Sequence, residues 1–283
     1  MIALSLLARI PLRGLYALSS VFAFLLQNVV RYRARRVAEN LRCAFPEKTE
    51  SERKSIARAF YRNLLDLLLE IVKASRMDET EFRERITLTN GELLDEYNAQ
   101  AQPIIIVGSH QANWEWLFLA CSLRFPFPLD AIYRPLHSAA FEDFVHTIRT
   151  RFGARLIPDR VALKTVMANL KEIRAVGLIA DQRPGRKEQR HWTRFLNQDT
   201  AFHTGWARLA QFTKYPVLFA RCERVARGRY ELTFFPLGEP PYGSNVGPLI
   251  DAYADMLETA IVENPSSWLW THNRWREKKP LYS

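Results

Sequence analysis

Cysteine is scarce in this sequence, whose 283 residues include only Cys43, Cys121 and Cys222. An odd number of widely spaced cysteines without a C-x-x-C pair argues against a disulfide framework and a cysteine zinc site, and it fits a reducing compartment. None of the six histidines belongs to an H-E-x-x-H pair, the spacing with which a helix holds a catalytic zinc. The sequence therefore predicts no metal site.

Acidic residues are also in short supply, with 30 Asp and Glu against 40 Lys and Arg and a net charge of +10. A chain this basic favours anionic partners, such as nucleic acid, an anionic membrane surface or an acidic protein. The sequence contains no helix-turn-helix, zinc-finger or RNP-type motif, so we expect no nucleic-acid binding. A hydrophobic fraction of 48% with 25% charged residues is ordinary for a globular protein and excludes a disordered, collagen-like or fully membrane-embedded chain.

An uncharged apolar segment lies at residues 14–30, GLYALSSVFAFLLQNVV, and spans 17 residues. As a helix it would be about 25 Å long, slightly short of a hydrocarbon core of about 30 Å. The basic residues that follow it are Arg31, Arg33, Arg35 and Arg36. A secretory signal peptide is disfavoured because no small-residue cleavage site follows the apolar run.

This N-terminal segment favours a membrane-anchor helix, either spanning the bilayer or lying in its interface, with basic flanks that meet anionic headgroups. The heavier basic flank is on the C-terminal side, so the positive-inside rule places the body of the protein in the cytoplasm. A buried helix of the globular body is the alternative. We therefore divide the chain into an anchor with its basic flank at 1–36 and a single α/β domain at 37–283.

The rest of the chain alternates between helical and strand-like segments. The periodicity of apolar residues predicts a long helix from Glu50 to about Ala74. Helical stretches separate most of the later apolar runs, which predict strands at 103–107, 129–133, 155–157, 176–180, 216–222 and 229–235. Such alternation is typical of an α/β fold with a mostly parallel central sheet flanked by helices. A long loop is expected between Gly185 and a helix that begins at Thr204.

The strongest motif follows the first of these strands, in the segment Gly108-Ser109-His110-Gln111-Ala112-Asn113-Trp114-Glu115. Functional side chains of such sheets gather just beyond the carboxyl ends of the strands. His110 lies at a loop-to-helix junction, and Glu115 one turn later can reach its ring nitrogen. That carboxylate would fix the imidazole tautomer and raise its basicity, so that His110 can remove a proton from a hydroxyl group. The alternative is a histidine that only caps the helix, with Glu115 on a solvated face.

Two further candidates lie at the ends of later strands. Arg134 presents a planar guanidinium group that suits a phosphate or a developing oxyanion, and an ordinary surface arginine is the alternative. Asp181, Gln182 and Arg183 follow a later strand, where Asp181 can accept a hydrogen bond from a sugar or a backbone group, or position Arg134. Because Pro184-Gly185 makes a turn, Asp181 can also be a simple turn-initiating residue.

These motifs together resemble a known family. The segment from Ser109 to Glu115 is similar to the H-x-x-x-x-[DE] box of the lysophospholipid acyltransferase-like superfamily, and within it to the lipid A biosynthesis acyltransferases that add secondary acyl chains. The resemblance extends over nearly the whole chain and includes the N-terminal segment. The other matching stretches are Tyr32-Arg33 to Phe45-Pro46-Glu47, Tyr133-Arg134-Pro135, Ala180-Asp181-Gln182, and Glu263-Asn264-Pro265 to Trp275.

The resemblance implies a membrane-bound acyltransferase with a glycerol-3-phosphate acyltransferase-like fold. Such enzymes move a fatty acyl group from a thioester, usually on the acidic acyl carrier protein, to a hydroxyl group of a lipid. The implied acceptor is a lipid A precursor in the bacterial inner membrane, with the catalytic domain on the cytoplasmic face. A lysophospholipid or an amino-acid-containing lipid is the alternative acceptor. No cofactor is implied.

The resemblance also implies roles for individual residues. His110 is the base, Glu115 holds it, and Arg134 with nearby backbone N–H groups stabilises the oxyanion. The residues implied to bind substrate, oxyanion or phosphate are Arg134, Asp181, Gln182, Arg183 and Asn197. Asn197 stands where members of the family often carry the glycine of a Phe-Phe-Gly box, and Asp199 stands where a proline is common. This departure bears on the acceptor lipid, since the box is expected near the headgroup.

A hydrolase with Ser109 as nucleophile is the competing enzyme class. It is disfavoured because the chain reads Val-Gly-Ser-His-Gln around Ser109 and lacks the G-x-S-x-G nucleophile elbow. A transferase needs no such serine, because the substrate hydroxyl is the nucleophile that the base activates.

Overall fold

The computed structural model describes residues 2–136, 138–277 and 279. Its helices, numbered in chain order, are α1 (Ile2–Leu7), α2 (Leu12–Asn28), α3 (Ala34–Ala44), α4 (Glu50–Ala74), α5 (Glu79–Arg85), α6 (Glu92–Ala99), α7 (Trp114–Arg124), α8 (Ala139–Thr150), α9 (Ala162–Ala168), α10 (Gly205–Thr213) and α11 (Gly247–Glu263). Its strands are β1 (Ile86–Leu88), β2 (Ile104–Gly108), β3 (Leu129–Tyr133), β4 (Arg155–Pro158), β5 (Ala175–Ile179), β6 (Arg190–Phe195), β7 (Gln198–His203), β8 (Val217–Ala226) and β9 (Arg229–Gly238).

The central sheet has the strand order β1-β9-β8-β2-β5-β3-β4. Its neighbouring strands are parallel except β8 and β9, which form an antiparallel hairpin. The predicted α/β fold with a mostly parallel sheet is therefore confirmed. Gly108 pairs with Ile179, so the carboxyl ends of β2 and β5 lie side by side, and the residues that follow them meet at one edge of the sheet.

The core lies on both faces of this sheet. β2 is buried along its whole length, with Ile105 and Val107 in one hydrophobic cluster and Ile104 and Ile106 in the other. Alternate residues of a strand point to opposite faces, and a parallel strand covered on both faces is apolar throughout. The first cluster includes residues of α10 and α11, and the second includes residues of α7 and α8. The helices therefore flank the sheet as predicted.

The long helix α4 has the bounds that the sequence predicts, Glu50 and Ala74. It begins with a capping box, in which the Thr49 side chain accepts a hydrogen bond from the Glu52 N–H and the Glu52 carboxylate accepts one from the Thr49 N–H at 2.7 Å. This reciprocal pair satisfies two of the unpaired donors at a helix start. The helix packs against α2, α3 and α7, and so it joins the N-terminal residues to the segment that follows β2.

The segment after Gly185 is not the long loop that the sequence predicts. Residues 190–203 form the antiparallel hairpin of β6 and β7, joined by Leu196 and Asn197 with φ angles of 48° and 62°. A two-residue turn with positive φ matches the twist of the strands, and asparagine tolerates this conformation better than most residues. The Asn197 side chain donates to the Ala44 carbonyl at 3.1 Å, which holds the turn against the end of α3.

The apolar run predicted as a membrane anchor forms α2, which packs on the body of the protein through one face. Tyr16 donates to Glu70 at 2.6 Å, and Ser19 donates to Asp66 at 2.5 Å. Leu15 on the same face belongs to the core. Among the helices in the described residues, none is both long and apolar enough to cross a membrane. The division of the chain at residue 36 stays a prediction.

Candidate active site

His110 lies just beyond the carboxyl end of β2, and Asp181 lies just beyond the end of β5. Nδ1 of His110 is 2.6 Å from Oδ1 of Asp181, and the backbone N–H of His110 donates to Oδ2 at 2.9 Å. A carboxylate can only accept, so Nδ1 carries the proton and donates. The pairing of β2 with β5 thus brings together two residues that are 71 positions apart in the chain.

Asp181 is only 2% exposed, and its hydrogen bonds keep it ionised. Besides the two bonds from His110, the indole Nε1 of Trp268 donates to Oδ2 at 2.7 Å. Burial alone would raise the pKa of Asp181, but the electrostatic interaction with the adjacent imidazole of His110 and these hydrogen bonds outweigh burial and lower the pKa to about 2. Asp181 is therefore a carboxylate at neutral pH, and it fixes both the tautomer and the orientation of the imidazole.

The second ring nitrogen of His110, Nε2, is the one available for chemistry. Nε2 of Gln182 lies 3.2 Å from it, and because a side-chain amide nitrogen only donates, Nε2 of His110 acts as an acceptor. The rings of Trp114 and His110 meet edge to face, with centroids 4.9 Å apart. The side chain of His110 is 19% exposed. An unprotonated, partly exposed imidazole nitrogen is what a general base requires.

Glu115 does not contact the imidazole, so this part of the prediction is wrong. Its carboxylate accepts from Nε and Nη2 of Arg149 on α8, at 2.8 and 2.5 Å, and from the indole of Trp114 at 3.2 Å. The reason is that α7 begins at Trp114, and its first turn directs Glu115 toward α8. Glu115 is 6% exposed, and a buried carboxylate needs a cationic partner of this kind. The catalytic role of Glu115 stays a prediction.

The segment that carries His110 is held by the C-terminal tail and by α4. Gln111 forms an isolated β-bridge with Trp268. Asn113 caps α7, because its Oδ1 accepts from the Trp116 N–H at 2.9 Å. The amide group of Asn113 donates to Glu70 at 2.7 Å. The bonds of Gln111 and Asn113 therefore fix the backbone that follows His110.

Of the other predicted site residues, only Gln182 contacts His110 among the described residues. Arg134 has a side chain that is 63% exposed and pairs with Asp159 at 2.7 Å and Glu188 at 2.9 Å, so Asp181 does not position it. Arg183 lies 3.7 Å from the Glu277 carboxylate. The structure thus assembles His110, Asp181 and Gln182 into one group and gives Arg134 and Arg183 other partners.

Sequence reasoning missed two contacts of this site. Trp268 lies within the C-terminal stretch that carries the resemblance, but no contact was predicted for it, although a buried indole N–H usually has a hydrogen-bond partner. That rule would have signalled a nearby acceptor without identifying it as Asp181. Arg149 carries no sequence signal, because it is one of 40 basic residues on a helix with no distinctive motif.

A family model for the bacterial lipid A biosynthesis acyltransferases matches residues 1–277. The chain belongs to this family. It is therefore an acyltransferase of lipid A synthesis, as the resemblance implies.

Individual members of the lipid A acyltransferase family are distant in sequence. The lipid A biosynthesis palmitoleoyltransferase of Escherichia coli is 24% identical over 241 residues, which cover 85% of this chain and 78% of that protein. The lipid A biosynthesis lauroyltransferase of E. coli is 23% identical over 280 residues, covering 96% and 89%. A lipid A biosynthesis acyltransferase of Haemophilus influenzae is 21% identical over 285 residues, covering 98% and 86%.

Proposed function

We propose that this lipid A acyltransferase moves a fatty acyl chain from the thioester of acyl carrier protein to a hydroxyl group of a lipid A precursor. The observation that carries the proposal is the His110–Asp181 pair at the edge of the sheet. It provides a general base with a fixed tautomer and one open nitrogen. A hydroxyl group of the substrate completes the arrangement, taking the place that a serine has in a catalytic triad.

The proposed reaction begins when the acceptor hydroxyl replaces Gln182 as the partner of His110. Nε2 of His110 removes the hydroxyl proton as the oxygen attacks the thioester carbonyl carbon. Asp181 stabilises the imidazolium that forms. The tetrahedral intermediate then collapses with cleavage of the C–S bond, and His110 returns the proton to the departing thiolate. The products are an ester and the free thiol of the carrier, and His110 is neutral again.

The proposal places the enzyme at the cytoplasmic face of the bacterial inner membrane, and α2 supports this location. The exposed apolar side chains of α2 and of the two residues after it lie away from the buried side of the helix. They are Leu18, Val21, Phe22, Phe24, Leu25, Val29 and Val30. Contiguous exposed apolar surface of this kind is typical of an interaction site. The arginines that follow at positions 31–36 suit anionic headgroups, and the combination is typical of a helix lying in the membrane interface.

The choice of acyl carrier protein as donor is supported by charge. The chain carries a net charge of +10, and complementary charge attracts an acidic protein over long distances. The family resemblance implies the same donor.

The test compares the lipids of bacteria that lack this gene after complementation with the wild type, Asp181→Asn or Asp255→Asn. Asp255 is an exposed carboxylate on α11, so it is a control for the same chemical change. We expect mass spectrometry to show one additional acyl chain on lipid A with the wild type and Asp255→Asn only. With purified protein, Asp181→Asn should transfer an acyl group from acyl carrier protein about 100-fold more slowly or worse.

The outcomes separate the parts of the proposal. If the enzyme adds an acyl chain to a lysophospholipid or an amino-acid-containing lipid and lipid A is unchanged, the proposed acceptor is wrong. The proposed chemistry of His110 and Asp181 would still hold. Wild-type transfer by a folded Asp181→Asn enzyme would overturn the mechanism.

A further inference from the structure

A basic pocket of about 570 Å³ lies along α3, from Arg33 just before the helix to Cys43 near its end, away from the contacts of the His110–Asp181 pair. We call it the arginine pocket. Its lining comes from α3, from the β6–β7 hairpin and from the C-terminal tail, and includes Arg33, Arg35, Arg36, Gln198, Asn273 and Trp275. Three guanidinium groups around one concave space make a site for an anion.

The positive charges of this pocket are only partly neutralised by the protein, through the electrostatic interaction of Glu39 with Arg35. Within the described residues, the side chains of Arg35 and Arg36 form neither a hydrogen bond nor an ion pair. The acidic residue of the lining, Glu39, pairs with Arg42 at 2.8 Å. Arg33 is fixed in place, because Nη1 donates to the Thr271 carbonyl at 2.9 Å. One positioned and two uncommitted guanidinium groups therefore face the pocket.

A second observation also points to a polar ligand. The side-chain Nε2 of Gln198, which lines the arginine pocket, is buried and has no hydrogen-bond partner among the described residues. A buried donor without an acceptor is costly, so an oxygen-rich group in the pocket would satisfy it. Asn273, which also lines the pocket, offers another amide group. Amides beside guanidinium groups suit a ligand with hydroxyl groups as well as phosphate oxygens.

The position of the pocket relates it to the exposed face of α2. The lining begins at Arg33, only three residues after Val30, which is 66% exposed at the end of that apolar face. If that face lies on a membrane, the pocket opens at the level of the lipid headgroups. On its inner side, the Trp275 ring lies 6.0 Å from the Trp268 ring, and the indole N–H of Trp268 donates to Asp181. Two indole rings therefore separate the pocket from the catalytic pair.

We propose that the arginine pocket binds a phosphate monoester carried by the headgroup of a membrane lipid, and that it positions or selects that lipid. A monoester suits the pocket better than a phosphodiester, because it carries up to two charges and three free oxygens for the guanidinium forks. The proposal rests on the membrane association proposed above for α2. It does not depend on the transfer chemistry of His110.

The experiment measures binding of the full-length protein to phosphatidylcholine vesicles that contain either phosphatidic acid, a phosphate monoester, or phosphatidylglycerol, a phosphodiester. The two vesicle types are matched for total surface charge. We expect the wild type to bind the phosphatidic acid vesicles about tenfold more tightly, and the variant Arg35→Gln/Arg36→Gln to lose this preference while it still binds both vesicles.

Arg31→Gln is the matched control, since Arg31 belongs to the same basic cluster but does not line the pocket. It should weaken binding to both vesicles equally and keep the preference. Equal binding of the wild type to both vesicles would contradict the proposed role of the pocket. So would a loss of preference in Arg31→Gln as large as that in Arg35→Gln/Arg36→Gln. Failure to bind either vesicle would instead overturn the membrane association on which the pocket rests. None of these results depends on acyl transfer.

Inorganic phosphate and glucose 1-phosphate distinguish a lipid from a soluble ligand. If the pocket binds a lipid headgroup, either compound at millimolar concentration should reduce the preference for phosphatidic acid only partly, because a soluble phosphate makes no contacts with the membrane. Calorimetry could instead show that a soluble phosphate binds the wild type and not Arg35→Gln/Arg36→Gln, while the wild type shows no preference between the vesicles. The pocket would then be a site for a soluble anion, and the proposal of a lipid ligand would be wrong.

Discussion

Two residues of the C-terminal tail, the buried Arg274 and the half-buried His272, lie within electrostatic range of Asp181. Arg274 is 3% exposed, its guanidinium carbon lies 4.4 Å from the centre of the Phe202 ring, and its side-chain nitrogens lack hydrogen-bond partners in the described part of the chain. Burial lowers the pKa of Arg274 to about 10, with Asp181 opposing the shift. The residue therefore remains cationic at neutral pH. His272, in contrast, is held neutral.

The neutral state of His272 predicts a pH-dependent stability. Burial lowers the pKa of His272 to about 4, with Arg274 and His110 adding to the shift and Asp181 opposing it. The unfolded chain protonates this residue below about pH 6.5, so between these values it binds more protons than the folded protein. The free energy of unfolding should therefore fall as the pH is lowered through this window, by up to about 3 kcal/mol. Urea unfolding of His272→Gln should lose this part of the dependence.

The matched control for this prediction is His146→Gln, which changes an exposed histidine on α8. It should keep the wild-type dependence between pH 4.5 and pH 7. The same slope of the unfolding free energy in the wild type and His272→Gln would rule out His272 as its source.

His110 could be predicted, because a buried strand followed by a polar segment places its side chain at the edge of the sheet. Its partner could not, because the contact with Asp181 depends on the adjacency of β2 and β5, which spacing along the chain does not reveal. Glu115 was the carboxylate close to His110 in the sequence and was therefore predicted as its partner. Glu115 instead pairs with Arg149, which is on another helix.

At the scale of elements, α2 has two faces with different physical roles. One face is tied to α4 by Tyr16 and Ser19, which donate to the buried carboxylates of Glu70 and Asp66. The other face is apolar and exposed, with Phe24 at 63%. Polar bonds within the protein and an apolar outer surface are the reverse of an ordinary surface helix. The two faces should therefore respond differently to substitution.

We expect Val21→Asp/Phe24→Asp to weaken vesicle binding about 100-fold or more, because each apolar side chain that leaves the lipid costs about 1.5–3 kcal/mol. The midpoint of urea unfolding should not fall, since both residues are exposed.

Tyr16→Phe, on the inner face, should affect stability instead. It should lower the free energy of unfolding by about 1–3 kcal/mol because Glu70 loses a buried donor, and it should leave vesicle binding unchanged. Loss of stability in the double variant, or of vesicle binding in Tyr16→Phe, would contradict this assignment of faces.

Elements were predictable where local pattern dominates. The bounds of α4 and of β3 are those that the apolar periodicity predicts. The β6–β7 hairpin was missed because its strands carry arginine, histidine and threonine, and its turn lacks glycine. The elements α5, β1 and α6 were not predicted either, because each is short and obtains its stability from packing rather than from an intrinsic pattern.

At the scale of the whole molecule, the net charge of +10 predicts a salt dependence of donor capture. Raising the ionic strength from about 0.01 M to about 0.1 M shortens the Debye length from roughly 30 to 10 Å. We expect kcat/KM for acyl carrier protein thioester to fall about tenfold over this range. An uncharged acyl-N-acetylcysteamine thioester is the matched donor and should show no such fall. Equal salt dependence with both donors would mean that steering of the carrier is not the cause.

The order of the strands in the central sheet could not be predicted from the sequence. The sequence correctly predicts a mostly parallel sheet, because helices separate most of the strands. It does not reveal that β8 pairs with β2 while β9 pairs with β1. Those neighbours are far apart in the chain, and such non-local pairing depends on the packing of the whole domain.

The buried carboxylate of Asp66 has a consequence for protein synthesis. Its cationic partners, Arg224 and Arg227, lie 158 and 161 residues later in the chain. A ribosome that adds about 5–20 residues per second makes them roughly 10 to 30 s after Asp66. Until then α2 and α4 cannot bury Asp66 without an unpaired charge. We therefore expect the nascent N-terminus to emerge with its apolar helix undocked, during the interval in which it can first meet a membrane or a chaperone.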